Sequence, residues 1–262
     1  MRLAPIVACS LLVAPGTASA GRTFYGWLFG SEVMPERGAE LQTWITDEND
    51  KSGSLEDHSR NTQLWVAPLI GITDQLELVL PVEMQWTKDA TPGSARTTFY
   101  SYGAELRYRF VSQDPVDKPA FAPLLRVGVK RLITDRDTLE PSVDLVASYD
   151  FTNCLQVLVD VGFVADVSTN GKHFVDPNTM ANSAAHFELH PGIGFSGRVV
   201  SDLRLGAEFY SELPLDHYDG SSWAVLGPDL AWTHGRSWVS ATFGIGVYQI
   251  RDAGRIQWGI AF

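Results

Sequence analysis

The chain has 262 residues, of which 45% are hydrophobic and 19% charged, and its formal net charge is −11. This acidic balance disfavours a nucleic acid partner, because nucleic-acid binding rests on contacts from Lys and Arg to phosphate. Beyond the first 20 residues, no run of about 18 apolar residues occurs that would cross a bilayer as a helix. Insertion into a membrane would therefore use strands, each of which needs only about ten residues with an apolar outer face.

The first twenty residues have the pattern of a secretory signal peptide. Arg2 supplies a positive charge, residues 3–13 are mostly apolar, and Ala18-Ser19-Ala20 offers small residues before a cleavage site. We predict cleavage after Ala20, which removes one of 20 bases and leaves 19 bases against 31 acids, a net charge of −12. The alternative is a lipoprotein box ending at Cys9, but only eight residues precede this cysteine, too few for a charged region plus an export core.

Residues 21–37 contain aromatic residues and turn formers without a clear period. We interpret them as a lead-in that precedes the first regular strand. If the strands close into a barrel, this segment would lie in the periplasm or partly plug the barrel mouth.

From residue 38 onwards, apolar and polar residues alternate with a period of two, which predicts β-strands. The third strand is the clearest, because every second residue over 76–86 is apolar while Glu77 and Glu83 lie on the opposite face. In the fourth strand the same alternation turns Tyr100 and every second residue up to Phe110 outward. The tenth strand, residues 223–232, is the weakest, because proline in Gly227-Pro228 cannot donate to a ladder.

The last strand ends the chain without a capping turn, and Ile256, Trp258, Ile260 and Phe262 share one of its faces. Such an edge must pair with something, and the simplest partner is the first strand around Leu41. We therefore predict an all-β fold, a closed antiparallel transmembrane β-barrel of twelve strands that covers residues 38–262.

The connections between the predicted strands differ in length. Short connections at 71–74, 151–153, 198–202 and 234–237 alternate with long polar ones at 47–60, 87–98, 166–184 and 211–222. Short periplasmic turns and longer outer loops are typical of outer-membrane barrels. The connections at 112–119 and 249–254 depart from this alternation.

A soluble β-sandwich shares the period of two, but its outer faces would be polar. Here charges from many strands share the mostly polar faces, and aromatic residues such as Trp86, Phe121 and Phe151 lie near strand ends, as in the girdles of a membrane barrel. Together with the export signal, this pattern favours the bacterial outer membrane. Its lipid and lipopolysaccharide are then the expected surroundings.

Two resemblances extend this prediction. The strand that ends on Phe262 is similar to the last strand of bacterial outer-membrane barrels, which implies contact with the barrel-assembly machinery. Residues 27–40 with the Pro35-Glu36 step, the Leu41-Gln42-Thr43-Trp44 start and the turn at 71–78 resemble uncharacterised barrels grouped with the phenol-degradation meta-pathway transporter family. This second resemblance spans most of the mature chain and implies a passive pore for small, often apolar molecules, without identifying the solute.

In the predicted register, the inward faces of the strands carry charged residues and two histidines. These lumen-lining residues are Glu77, Glu83, Glu105, Arg107, Arg109, Arg126, Lys130, Asp144, Asp160, His186, Glu188, His190, Arg204, Glu208 and Arg255. The four bases of the fourth and fifth strands could form a basic wall opposite acids of later strands. Alternatively, each base pairs with a neighbouring acid, because buried charges need partners. We favour the ion-paired lumen, which would suit a structural or adhesive membrane protein as well as a pore.

An enzyme is the further alternative, because some outer-membrane barrels are phospholipases with a Ser-His-Asn site. His186, His190 and Ser196 lie at even spacing on one strand, so the histidines face inward rather than toward lipid. Gly194-Phe195-Ser196-Gly197 lacks the spacing of a nucleophile elbow. We interpret the histidines as hydrogen-bonded lumen residues and predict no catalytic residue, cofactor or metal ligand.

The predicted outer loops are acidic. The acids are Asp47, Glu48, Asp50, Glu56 and Asp57 in the first loop, with Asp135, Asp137, Glu140, Asp216 and Asp219 in later ones. Such oxygen ligands suit calcium or magnesium and would allow divalent bridges to lipopolysaccharide phosphate. We favour solvated loops, because Lys51 occupies a position where a calcium loop needs a ligand.

Overall fold

The computed structural model describes residues 23–49, 59–88, 95–113, 119–133, 136–170, 174–175, 182–215 and 222–262. Apart from a short pairing of Phe174–Val175 with Asn182–Ser183, the strands of this part of the chain form one closed sheet. Among the described residues, no helix is long and apolar enough to cross a membrane.

The closed sheet contains twelve strands when two short segments are counted as one. The strands are β1 (Ala39–Asn49), β2 (Arg60–Thr73), β3 (Leu76–Val79 and Val82–Lys88), β4 (Arg96–Arg109), β5 (Phe121–Leu132), β6 (Thr138–Asp150), β7 (Leu155–Ser168), β8 (Ala185–Val200), β9 (Leu203–Pro214), β10 (Trp223–His234), β11 (Ser237–Tyr248) and β12 (Asp252–Ala261). Each strand pairs antiparallel with the next one along the chain.

The barrel closes between its first and last strands. β1 and β12 are antiparallel, with Leu41 opposite Ile260 and Thr43 opposite Trp258. The backbone N–H of Phe262 donates to the carbonyl of Ala39 at 2.9 Å, which continues the ladder to the last residue. The prediction of a closed twelve-stranded antiparallel barrel is therefore confirmed.

The outer surface of the barrel is apolar. Large exposed apolar side chains come from all around the sheet, and they include Leu41, Ile70, Leu80, Leu106, Val127, Leu145, Val161, Ile193, Leu205, Leu226, Ile245 and Ile256. Aromatic pairs lie at one end, where Tyr108 meets Phe110 and Tyr149 meets Phe151 with ring centroids 5.1 and 4.8 Å apart. An apolar band flanked by aromatic side chains is the surface that lipid covers in membrane barrels.

Two strands differ from the sequence prediction. The third strand is interrupted at Leu80-Pro81, because proline has no N–H to donate to the ladder. The alternation of inward and outward side chains continues unchanged after this interruption, and Glu77 and Glu83 are both buried. In β4, a register shift against β3 leaves Phe99 47% exposed and Tyr100 only partly buried, so the outward assignment of Tyr100 was wrong. The extra residue of a β-bulge reverses the alternation, so the side chains before it and after it follow opposite phases.

The strand predicted with the least support, β10, is regular along most of its length. Pro228 faces outward and pairs with Ala207 of β9, while the ladder to β11 skips Gly227 and Pro228. A Cβ on Gly227 would lie only 1.9 Å from the carbonyl oxygen of Phe243. Glycine therefore permits the close approach of β11 at the point where proline offers no hydrogen-bond donor.

The core of the molecule lies inside the barrel, around residues 23–38, which we call the N-terminal segment. Three apolar clusters form there, and each contains part of this segment: Tyr25, Leu28 and Val33 in one, Met34 in another and Trp27 in the third. All five side chains are at most 3% exposed. Burial also raises the pKa of the Tyr25 phenol well above its ordinary value, so this side chain is neutral.

Candidate functional site in the barrel lumen

The structure places all fifteen predicted lumen residues on barrel strands. Eleven of them are buried, and Lys130, Glu188, His190 and Arg255 are half-buried. Their contacts divide into three groups: ion pairs along β3 to β6, anchors of the N-terminal segment, and a histidine cluster on β8.

The first group is a network of ion pairs with Glu105 at its centre. Arg126 donates to both oxygens of Glu105, at 2.9 and 2.7 Å, and Arg107 also donates to it. Arg107 reaches Glu77 at 3.0 Å, and Arg126 reaches Asp144 at 3.3 Å. A bidentate guanidinium–carboxylate pair fixes the relative orientation of its two groups through two parallel hydrogen bonds. The two arginines are therefore neutralised by acids on β3, β4 and β6.

The remaining two bases of the proposed basic wall also have partners. The ammonium of Lys130 lies 3.0 Å from Glu83 and 3.2 Å from Glu140. Arg109 instead donates to the backbone carbonyl of Ser31 at 2.6 Å. These contacts favour the ion-paired interpretation of the lumen over an unpaired basic wall.

The second group holds the N-terminal segment, and Glu208 of β9 is its main anchor. Its carboxylate accepts hydrogen bonds from the backbone N–H groups of Gly26 at 2.8 Å, Trp27 at 3.0 Å and Leu28 at 3.1 Å. The hydroxyl of Thr242 donates to the same carboxylate. Converging backbone N–H groups of this kind form an anion-binding nest. Glu208 is therefore occupied by backbone donors.

Two further carboxylates bind the same segment. Asp160 accepts from the backbone N–H of Phe29 at 3.1 Å, and Glu77 accepts from that of Met34 at 2.7 Å. The guanidinium of Arg126 lies over the ring of Phe29, 3.1 Å from the ring centroid. The ion-pair network and the N-terminal segment thus share residues and form one interior.

Arginines from two more strands complete this anchoring. Arg204 of β9 lies over the ring of Phe24 at 4.1 Å from the centroid. Arg255 of β12 donates to the carbonyl of Trp27 at 3.3 Å and lies 4.3 Å from the centroid of its ring. Cation–π contacts gain strength when water is excluded. The wall of the barrel therefore binds the segment through acids that accept from its N–H groups and arginines that contact its carbonyls and rings.

The inner surface of the barrel carries an apolar patch. Trp44 of β1 stacks on Trp65 of β2 with ring centroids 3.6 Å apart. Leu69 and Val79 extend this surface, and Met34 of the N-terminal segment packs against it. The lumen therefore contains an apolar patch among charged groups, because β1 also turns Glu40 and Glu48 inward and β3 carries Glu77.

The third group contains His186 and His190, the two histidines of the alternative enzyme hypothesis. His186 and His190 both contact the carboxylate of Glu188, at 3.2 and 3.0 Å. Ser196 is fully buried, and its hydroxyl accepts a hydrogen bond from Arg204 at 3.0 Å. Six residues of strand separate His190 from Ser196 by roughly 20 Å. The distance excludes a serine–histidine pair among these side chains.

The sequence prediction missed several inward residues, among them Glu140, which pairs with Lys130, and Glu212. β9 extends to Pro214, so Glu212 belongs to a strand rather than to the predicted loop at 211–222. Its carboxylate accepts from the indole N–H of Trp223 at 2.6 Å. The alternation of Glu208, Tyr210 and Glu212 would have revealed it, because all three occupy every second position.

Most acids of the proposed outer-loop cation sites lie outside the described residues: Asp50, Glu56, Asp57, Asp135, Asp216 and Asp219. Asp47 is described and accepts from Arg60 at 2.6 Å and from Thr62 at 2.7 Å. It therefore stabilises the β1–β2 pairing near the loop.

Comparison with known proteins places this barrel among outer-membrane folds. No protein-family model matches the sequence, and no curated protein does. A solved outer membrane channel from Pseudomonas putida F1 matches 95% of this chain and 100% of its own, with a TM-score of 0.57 and 11% identity. The NanC porin matches 85% of this chain and 98% of its own, with a TM-score of 0.54 and 10% identity. The chain has the fold of bacterial outer-membrane β-barrels.

The same fold also serves other purposes. The β domain of the Bordetella autotransporter BrkA matches 86% of this chain and 99% of its own, with a TM-score of 0.54 and 11% identity. At such identities the likeness concerns architecture alone. The contents of the lumen must therefore distinguish the possible functions of this outer-membrane barrel.

Proposed function

We propose that this outer-membrane barrel is a passive channel for small, mainly apolar molecules, with a lumen narrowed by the N-terminal segment. The observation that supports it best is the apolar patch that β1, β2 and β3 form on the inner surface of the barrel. Trp44, Trp65, Leu69 and Val79 turn inward there, although water-filled barrels usually carry polar interiors. Buried aromatic and aliphatic surface suits an apolar solute because contact removes that surface from water.

The N-terminal segment would set the width of the pathway. It is joined to the wall by side-chain hydrogen bonds, ring contacts and apolar packing, such as the contacts to Glu208 and Arg255, rather than by a β-ladder. Such contacts can break one at a time, so the segment can shift without opening the barrel itself. Movement of residues 23–34 would then admit a solute.

The structure also supports the resemblance to the phenol-degradation meta-pathway transporter family, which we propose as the family of this chain. Two of the stretches that carry the resemblance contact each other. Arg37 donates to the carbonyl of Gly71 at 3.1 Å, and Gly71 donates to Gly38 at 2.9 Å. A Cβ at position 71 would lie 1.9 Å from the carbonyl oxygen of Pro35. The Pro35 step and the Gly71 turn therefore form one unit where the N-terminal segment enters the barrel.

A structural or adhesive protein with a filled lumen is the second candidate. The ion pairs around Glu105 and the buried N-terminal segment favour it, because together they occupy much of the interior. The two candidates differ in whether expression of the protein increases solute entry.

Uptake by cells with an intact lipopolysaccharide layer tests the proposal. Expression of the full chain should increase entry of a small aromatic probe over an empty vector, with little change for a sugar of similar size. Trp65→Gln should lower this uptake several-fold, because it places a polar amide in the apolar patch. Trp232→Gln is the matched control, since Trp232 is 41% exposed on the outer surface. Equal uptake with the full chain and the empty vector would favour the filled barrel.

We further propose two sets of partners. Lipid and lipopolysaccharide would cover the apolar outer band that includes Leu145 and Ile193, each at least 50% exposed. The barrel-assembly machinery would contact β12 and the residue that follows it, Phe262, which is 72% exposed.

A further inference from the structure

A cluster of metal-ligating side chains lies at the end of the barrel opposite to the one where Ala39 meets Phe262. Glu188 and His190 come from β8, and Glu212 comes from β9. One ligand atom from each of the three lies within 4.8 Å of the other two. Glu188 is opposite Pro214 in the β8–β9 ladder, and Gly192 is opposite Tyr210. His190 and Glu212 therefore face each other across the ladder.

The neighbouring side chains orient these potential ligands. Nδ1 of His190 lies 3.4 Å from the hydroxyl of Tyr210, so Nε2 is the nitrogen directed toward the cluster, 3.0 Å from Glu188. The indole of Trp223 donates to Oε2 of Glu212 at 2.6 Å. Metal-binding histidines and carboxylates usually have such outer partners, which fix the ring orientation and the position of the ligand oxygen.

We propose that Glu188, His190 and Glu212 form a zinc site inside this end of the lumen. Two carboxylates and one neutral imidazole provide two negative charges, which a divalent cation balances. The imidazole favours zinc over calcium and magnesium, whose preferred ligands are all oxygens. Zinc binding at this site does not depend on which solute the barrel passes.

The geometry requires a modest rearrangement. Zinc bonds of about 2.0–2.2 Å to nitrogen and oxygen place tetrahedral ligand atoms roughly 3.3–3.6 Å apart. The three atoms therefore have to move about 1 Å closer together, which glutamate side chains can do by rotation about their side-chain bonds. His186 contacts Glu188 through Nε2 at 3.2 Å but does not belong to the three-residue cluster.

The site would also stabilise the N-terminal segment. Trp27 stacks on Tyr210 with ring centroids 5.2 Å apart and meets Trp223 edge-on at 5.7 Å. Tyr210 and Trp223 are also the residues that orient His190 and Glu212. A bound ion would hold the pocket of Trp27 more rigidly.

Calorimetric titration of zinc chloride into the folded full chain in detergent tests this inference. We expect one equivalent to bind in the micromolar range and magnesium chloride not to compete. His190→Ala and Glu212→Gln should each weaken binding at least tenfold, and Trp223→Phe should weaken it about tenfold through the lost outer contact.

His234→Ala is the matched control, because His234 pairs with Asp202 at 2.9 Å at the other end of the barrel. Its affinity for zinc should equal that of the wild type. Each variant should keep the heat-dependent gel migration of a folded barrel, which separates lost ligation from misfolding. Absence of zinc binding by the wild type, or equal affinity in folded His190→Ala, would show that the cluster is only a hydrogen-bonded part of the lumen.

Discussion

At the scale of single residues, the carboxylates of the lumen have two different tasks. Glu105 neutralises arginines, whereas Glu208 accepts hydrogen bonds from three successive backbone N–H groups. Glu208 is only 2% exposed, and a buried carboxylate is costly unless hydrogen bonds replace its hydration. Side-chain charge alone therefore does not reveal the role of an inward acid.

Replacement of Glu208 by alanine should loosen the N-terminal segment. The backbone N–H groups of Gly26, Trp27 and Leu28 would lose their common acceptor. Hydrogen bonds to charged groups contribute about 1.5–3 kcal/mol each. We expect faster proteolytic cleavage within residues 23–34 and a higher single-channel conductance in planar bilayers.

Glu83→Ala is the control for this experiment. Glu83 is also buried and inward, but its described partners are Lys130 and Ser101 rather than the N-terminal segment. Lys130 keeps Glu140 as a second partner. Proteolysis and conductance of this variant should therefore stay close to those of the wild type, and identical behaviour of the two variants would exclude a specific anchoring role for Glu208.

At the scale of elements, two local irregularities depend on the neighbouring strand. The bulge near Phe99 and Tyr100 depends on pairing with β3. Gly227-Pro228 remained compatible with β10, because the facing backbone of Phe243 approaches closely where glycine has no side chain. Both features involve the partner strand, which a pattern within one strand does not describe.

The last strand carries a testable contact with the first. Deletion of Phe262 removes its hydrogen bond to Ala39 and the aromatic end of β12. We expect less folded barrel in the outer membrane at equal expression, because closure involves this end, as would the proposed contact with the assembly machinery. Quantifying heat-shifted protein in membrane fractions measures the effect.

Phe262→Tyr should assemble almost normally, since it keeps an aromatic end and the full length of β12. Normal assembly of the deletion variant would contradict a role for Phe262.

At the scale of the whole molecule, the barrel has an apolar exterior and a core built around its own N-terminal segment. Leu145 near the middle of β6 is 55% exposed, while Tyr25 and Leu28 in the interior are fully buried. An apolar exterior of this extent is stable where lipid, rather than water, surrounds it.

Leu145→Arg tests the lipid contact directly. A cationic side chain at the middle of a lipid-facing strand should lower the free energy of unfolding by about 2–4 kcal/mol. Tyr149→Arg, near the end of the same strand, should cost only about 0–1 kcal/mol. Denaturant titration in lipid vesicles measures both. Equal effects at the two positions would argue against a bilayer around β6.

The alternation of apolar and polar residues determined the strands, their outward faces and, with the aromatic end at Phe262, the closed barrel. This was possible because a β-strand repeats every two residues, so its two faces can be read locally. Only the tertiary structure decided which inward groups meet. Glu208 and Trp27 are 181 residues apart, and Glu212 joins His190 across a ladder. Such contacts depend on strand register and on where the N-terminal segment packs, and no local periodicity encodes either.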